Sequence, residues 1–131
     1  MPAEADLDAE TTIYVIDDDD AVCDSLRVLL ELSGLSVAIY GSAEAFLSDS
    51  SRPRQSGEGC ILLDLDLPGM GGLDLLRLLR RDGSRLPVIV ITGRGVPAVE
   101  QAEEAGALAI LEKPFLDRTL MSCIERALRH A

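Results

Sequence analysis

CILLDLDLPGMGG, residues 60–72, opens with a short apolar run, Cys60 to Leu63, that leaves no room for a helix and meets an acid, Asp64, at once. Pro68, Gly69, Gly71 and Gly72 follow as turn formers. The pattern predicts a buried strand that ends in a carboxylate and opens into a loop. In an open α/β sheet, ligands and chemistry collect at the C-terminal edge of a central strand. Taken alone, the stretch is equally compatible with an acidic surface turn behind a core strand. The other strand ends decide.

Downstream, Gly72 to Arg81 reads as a helix with Leu73, Leu76 and Leu79 inward, and Leu86 to Ile91 as an apolar strand ending at Thr92. Gly93 to Pro97 is a predicted loop, and a weak helix runs from Ala98 to Ala105. Leu108 to Leu111 makes a fifth strand, closed by Glu112, Lys113 and Pro114. The last helix carries the stripe Leu116, Leu120, Cys123, Ile124, Ala127 and Leu128. Upstream, Thr11 to Ile16 predicts a first strand ending at Asp17, within the acidic run Asp17 to Asp20. Val22, Leu26, Leu29 and Leu30 give the next helix one apolar face, with Asp19 or Asp20 as its cap and Gly34 as its end. Leu35 to Ile39 is a second strand. Ser42 caps a short helix built on Ala45, Phe46 and Leu47. Ser48 to Gly59 lacks periodicity and reads as a surface loop, and residues 1–10 as a flexible acidic leader to a single domain over 11–131. Strands this apolar need helices on both faces, so the alternation predicts an α/β fold with a mostly parallel, doubly wound sheet.

Composition narrows the function. At 131 residues the chain has the size of one domain, with 47% hydrophobic and 27% charged residues. Tyr14, Tyr40, Phe46 and Phe115 are the aromatics, so the core is aliphatic. A net charge of −11 argues against a nucleic-acid backbone or an anionic membrane surface as partner, since both are bound largely by Lys and Arg. Cys23, Cys60 and Cys123 are odd in number, far apart and flanked by apolar residues, which fits reduced thiols better than disulfides or a metal knot. No basic-then-apolar signal segment or membrane-length apolar run is present, and the expected location is the cytoplasm.

The strand ends then supply Asp17 and Asp18, Asp64, Thr92 and Lys113. In a doubly wound sheet these point at one crevice. Carboxylates held together there repel and need a positive offset. Mg²⁺ suits oxygen ligands of this kind, while Lys113 and the Thr92 hydroxyl fit the oxygens of a phosphoryl group. Each residue also has an ordinary explanation: helix capping for the acids, strand propensity for Thr92, a solvated charge for Lys113. It is their coincidence on one sheet edge that points to metal-dependent phosphoryl chemistry.

Four motifs, VIDDDD, LLDLDLPGMGG, VIVITG and LEKPF, make the chain resemble the receiver domain of two-component response regulators, from about Thr12 to Arg129. In particular it resembles the receivers that precede a helix-turn-helix output domain in the nitrogen-fixation type of regulator. The resemblance implies a flavodoxin-like, CheY-like (βα)5 sandwich with a five-stranded sheet in order 2-1-3-4-5. It implies that Asp64 is the phosphoacceptor and that Asp17 and Asp18 hold Mg²⁺ together with Asp64 and the backbone carbonyl of Asp66. Thr92 corresponds to the hydroxyl residue that turns towards the phosphoryl group and Lys113 to the lysine that contacts it, with Pro114 after a cis bond. The expected donor is a sensor histidine kinase or a histidine phosphotransfer protein. A homodimer through the fourth helix and fifth strand is a further expected partner.

Two features depart from the family. Ile110 stands where an aromatic commonly couples activation to the fifth strand, and the segment Gly93 to Gly106 is slightly short, with a weak helix. Two other readings stay open on the residues: a small Mg²⁺-dependent phosphatase or phosphotransferase acting on outside substrates, and an interaction module that works without phosphorylation. The residues do not distinguish a stand-alone receiver from one part of a longer regulator.

Overall fold

The computed structural model describes residues 11–49 and 59–130, the side chain of His130 excepted. The expected leader, and residues 50–58 of the expected surface loop, lie outside the described residues. Five strands alternate with five helices: β1 Thr12–Ile16, α1 Asp20–Leu32, β2 Ser36–Tyr40, α2 Ala43–Ser48, β3 Gly59–Asp64, α3 Gly72–Arg81, β4 Val88–Thr92, α4 Val96–Glu104, β5 Ala109–Glu112 and α5 Asp117–His130. All pairings are parallel and the sheet order is β2-β1-β3-β4-β5, as the resemblance implies.

β3 is the central strand, and its residues are buried throughout, as are those of β4. Alternation divides their side chains between two layers. Ile61, Leu63, Val88 and Val90 meet Phe46, Leu75, Leu76, Leu79, Ala98 and Ala102 from α2, α3 and α4. Cys60, Leu62, Ile89 and Ile91 meet Leu26, Leu30, Leu120, Ile124 and Ala127 from α1 and α5. A continuous apolar strand is therefore what a sheet covered on both faces requires. Among the described residues, no helix is long and apolar enough to cross a membrane.

Several boundaries and faces differ from the sequence reading for identifiable reasons. β2 begins at Ser36 because the Leu35 N–H still bonds the Leu30 carbonyl (3.1 Å) in the turn that closes α1, where Gly34 takes a φ of 85°. β4 begins at Val88, behind Pro87, which has no N–H to give a ladder. α4 starts at Val96, two residues before the predicted Ala98. Pro97 sits in its first turn, where a missing N–H costs nothing. α3 buries Leu75, Leu76 and Leu79 and leaves Leu73 half-buried, since the lowest line of the helix passes through 72, 75, 76 and 79. α2 buries Ala43 and Phe46 and exposes Ala45. Leu116 precedes the first residue of α5, so helical spacing does not govern it, and it is 60% exposed.

Candidate functional site

The register of the sheet assembles the site. Ile16 of β1 lies opposite Leu63 of β3, so Asp17 and Asp64 are the next pair along. Thr92, the last residue of β4, pairs with Glu112 of β5, which puts Lys113 one step beyond. Four chain segments thus deliver side chains to one edge. Asp19 caps α1 by accepting from the Ala21 and Val22 N–H groups (2.9 and 3.3 Å), which turns the chain sharply after Asp18.

Asp17 and Asp64 are buried and Asp18 is exposed, and one carboxylate oxygen from each lies within 4.8 Å of the others. Asp64 Oδ1 accepts the Asp66 N–H at 2.9 Å, and Oδ2 faces Lys113 Nζ at 3.7 Å. Asp17 Oδ1 accepts the Asp19 N–H at 2.9 Å, while Oδ2 is buried without a hydrogen-bond partner. Burial raises the Asp17 pKa above its ordinary value. The Asp19 N–H opposes that shift, the Asp64 charge adds to it, Lys113 opposes it and Asp18 adds again. A partnerless carboxylate oxygen in this position is costly to a folded protein. Oxygens of three different carboxylates gathered around one point, with an unpartnered oxygen on one of those carboxylates, fit a hard divalent cation. The nearby Cys23 thiol donates to the Asp17 carbonyl (3.4 Å) and is pushed up to about 11 by burial and by the Asp17 charge, so it stays protonated and outside the donor set.

Thr92 is fully buried, and its carbonyl accepts the Lys113 N–H at 2.9 Å, which ties the two strand ends together. The Lys113–Pro114 bond is cis. Asp66 is exposed, and its side chain pairs with Arg94, Oδ1 to Nε at 3.0 Å. The Arg94 N–H in turn donates to Thr92 Oγ1 at 3.0 Å.

Arg94 was not among the residues singled out from the sequence. The signal available was positional: Asp66 and Arg94 have opposite charges at the same offset past Asp64 and Thr92, on adjacent parallel strands. Glu44 also escaped notice. Its Oε2 accepts the Met70 N–H at 2.8 Å and anchors the loop behind Asp64, a bond that holds the Glu44 pKa below its ordinary value. That loop closes on Gly72, where a Cβ would strike the Asp64 carbonyl and the Leu65 backbone, so α3 begins in direct backbone contact with the strand that carries Asp64.

Comparison with known proteins agrees with this geometry. The family model for the response regulator receiver domain matches residues 13–125. The response regulator protein TodT of Pseudomonas putida is 41% identical over 125 residues, which are 95% of this chain and 54% of TodT. The transcriptional regulatory protein FixJ of Azorhizobium caulinodans is 46% identical over 117 residues, 88% of this chain and 54% of FixJ. The chain therefore spans about half the length of these relatives. Among solved structures, FixJ-N superimposes with a TM-score of 0.83 at 40% identity, over 93% of this chain and 96% of that one. A CheY-like receiver from Methanospirillum hungatei gives 0.82 at 28% identity, over 93% and 96%. The match of sequence, strand order and strand-end acids makes this chain a member of the response regulator receiver family, the signalling switches of two-component systems.

Proposed function

We propose that this receiver is a cytoplasmic phosphoacceptor switch that takes a phosphoryl group from the phosphohistidine of a sensor kinase or phosphotransfer protein onto Asp64. The observation that carries the reading is Asp64 itself: a buried carboxylate at the end of the central strand, facing Lys113 and grouped with Asp17 and Asp18. An Asp64 oxygen forms the new bond to phosphorus as the bond from phosphorus to the donor imidazole breaks, and the imidazole takes up a proton. Such transfer needs alignment and charge neutralisation more than a strong nucleophile. Lys113 offers N–H donors to the transferred group, and the Thr92 hydroxyl offers another once it turns. Asp17, Asp18, Asp64 and the Asp66 carbonyl are the groups that would hold Mg²⁺, which when bound neutralises charge on the acceptor and on the phosphoryl oxygens. Water attacking the same phosphorus later restores the free carboxylate. The mark is therefore temporary.

The output surface in this reading is the side formed by α4 and β5. Val99, Glu103, Ala107, Ile110, Glu112 and Arg126 line an open groove of about 300 Å³ there. Acids and a base on the same rim suit a second copy of this chain or the remainder of a longer regulator. Incubation with acetyl phosphate and Mg²⁺ followed by intact mass tests the assignment. One phosphoryl adduct, lost over minutes and absent from Asp64→Asn, is expected. An equally labelled Asp64→Asn would move the acceptor elsewhere, and steady turnover of unrelated phosphoesters would make the protein an enzyme instead.

A further inference from the structure

We propose that Arg94 is a positioning residue for Thr92, holding its hydroxyl in the resting orientation through a clasp with Asp66, so that the strength of this ion pair sets how readily the receiver switches. The inference rests on the reading of Asp64 as acceptor and Thr92 as the residue that turns to it.

The clasp is a closed circuit of four residues. The Asp66 N–H donates to Asp64 Oδ1 at 2.9 Å, Asp66 Oδ1 binds Arg94 Nε at 3.0 Å, and the Arg94 N–H donates to Thr92 Oγ1 at 3.0 Å. The sheet completes it, because the ends of β3 and β4 are neighbours. Threonine side chains move between staggered wells about 120° apart, with little freedom between them. Thr92 therefore cannot swing Oγ1 towards a group on Asp64 while still accepting the Arg94 N–H. Turning leaves that N–H without its partner, and the Arg94 backbone cannot follow while its guanidinium is fastened to Asp66. Three links of the circuit are backbone or buried. The Arg94–Asp66 pair is the loose one, with side chains 53% and 49% exposed. It is the link that solvent, salt and substitution can open. Arg94 also leads into α4, whose cap residue Gly95 provides no side-chain bond, so release of Arg94 frees the start of that helix.

The measurement is half-saturation by beryllofluoride with Mg²⁺, a phosphoryl mimic, together with amide exchange at residue 94 in the metal-free protein. Arg94→Met and Asp66→Asn should each lower the half-saturating concentration by about two- to fivefold, the size an exposed ion pair supports. The double variant should gain no more than either single one, because both remove the same link. Raising salt to about 0.3 M should move the wild type towards the variants and leave Arg94→Met unmoved. Arg94→Lys should keep part of the restraint. Without metal, the residue-94 amide should exchange faster in Asp66→Asn than in the wild type, while α1 amides stay unchanged and so report an intact fold. An Arg94→Met protein with unchanged or weaker mimic binding overturns the clasp, and weaker binding would make Arg94 a direct contact of the phosphoryl group. A wild type that neither binds the mimic nor takes an adduct defeats the Asp64 reading itself. A wild type that does both, with Arg94→Met identical at every salt concentration, defeats only the clasp.

Discussion

At the scale of single residues, Asp17 carries the electrostatic burden of the site. It is buried, one of its oxygens is unpartnered, and its folded pKa lies above the ordinary 3.8. The folded state therefore holds the Asp17 proton more tightly than the unfolded chain does. In chelator, the stability from this residue is fully present below the unfolded pKa and is lost as pH rises through the raised folded value. Glu44 works in the opposite sense, with a lowered pKa whose contribution is lost as pH falls. Asp17→Asn should flatten the decline in the urea midpoint between about pH 4 and pH 7, and a decline as steep as the wild type's would place the strain on another group. Adding Mg²⁺ at tenfold its dissociation constant should raise the melting temperature on the order of 5 °C, by linkage to the folded state alone. Asp18→Ala should lose most of that rise, and a full shift in the variant would assign the ion to other ligands. The acids, Thr92 and Lys113 were legible in the sequence because each lies within two residues of the end of an apolar run. Asp66 with Arg94, and Glu44 with Met70, were not, since contacts made to loops leave no period in the chain.

At the scale of elements, α4 stands apart from the other helices around the sheet. It spans Val96–Glu104, lacks a side-chain cap bond as α3 does, and buries only Ala98 and Ala102, small residues that contribute little apolar area. α1 has an Asp19 cap whose Oδ1 accepts two N–H groups, and it buries Cys23, Leu26 and Leu30. A helix this short gains nearly all its stability from packing. Amide exchange across Val96–Glu104 should therefore be faster than across α1 in the metal-free protein, and it should slow with beryllofluoride and Mg²⁺. Equal protection of the two helices at rest would remove order gained in α4 as the route of output. Ile110 sharpens the point, for its branched side chain has stiff χ1 preferences and no ring to swing. Most helices and strands were legible from periodicity to within a residue or two. The start of α4 was missed because Pro97 and Gly95 read as breakers, although the first turn of a helix tolerates proline and its cap position accepts glycine.

At the scale of the whole molecule, the alternation of strands and helices made a parallel sheet legible, while the order of the strands came from resemblance and not from pattern. The whole chain carries a net charge of −11, and the ion pairs between described residues include Arg27–Glu31, Arg94–Asp66 and Lys113–Asp64. Repulsion should therefore outweigh attraction, and without divalent metal the urea midpoint should rise as sodium chloride goes from about 20 to 300 mM. A fall would show that the pairs dominate. The unpartnered Asp17 oxygen carries this imbalance into heredity. A population of this gene screened for heat resistance alone would accumulate a neutral side chain at 17 early, since relief there needs one substitution and no repacking. On the phosphoacceptor reading proposed above, the hardiest descendants would be the ones least able to switch. Only a regimen that rewards signalling as well as survival would keep the acid in place.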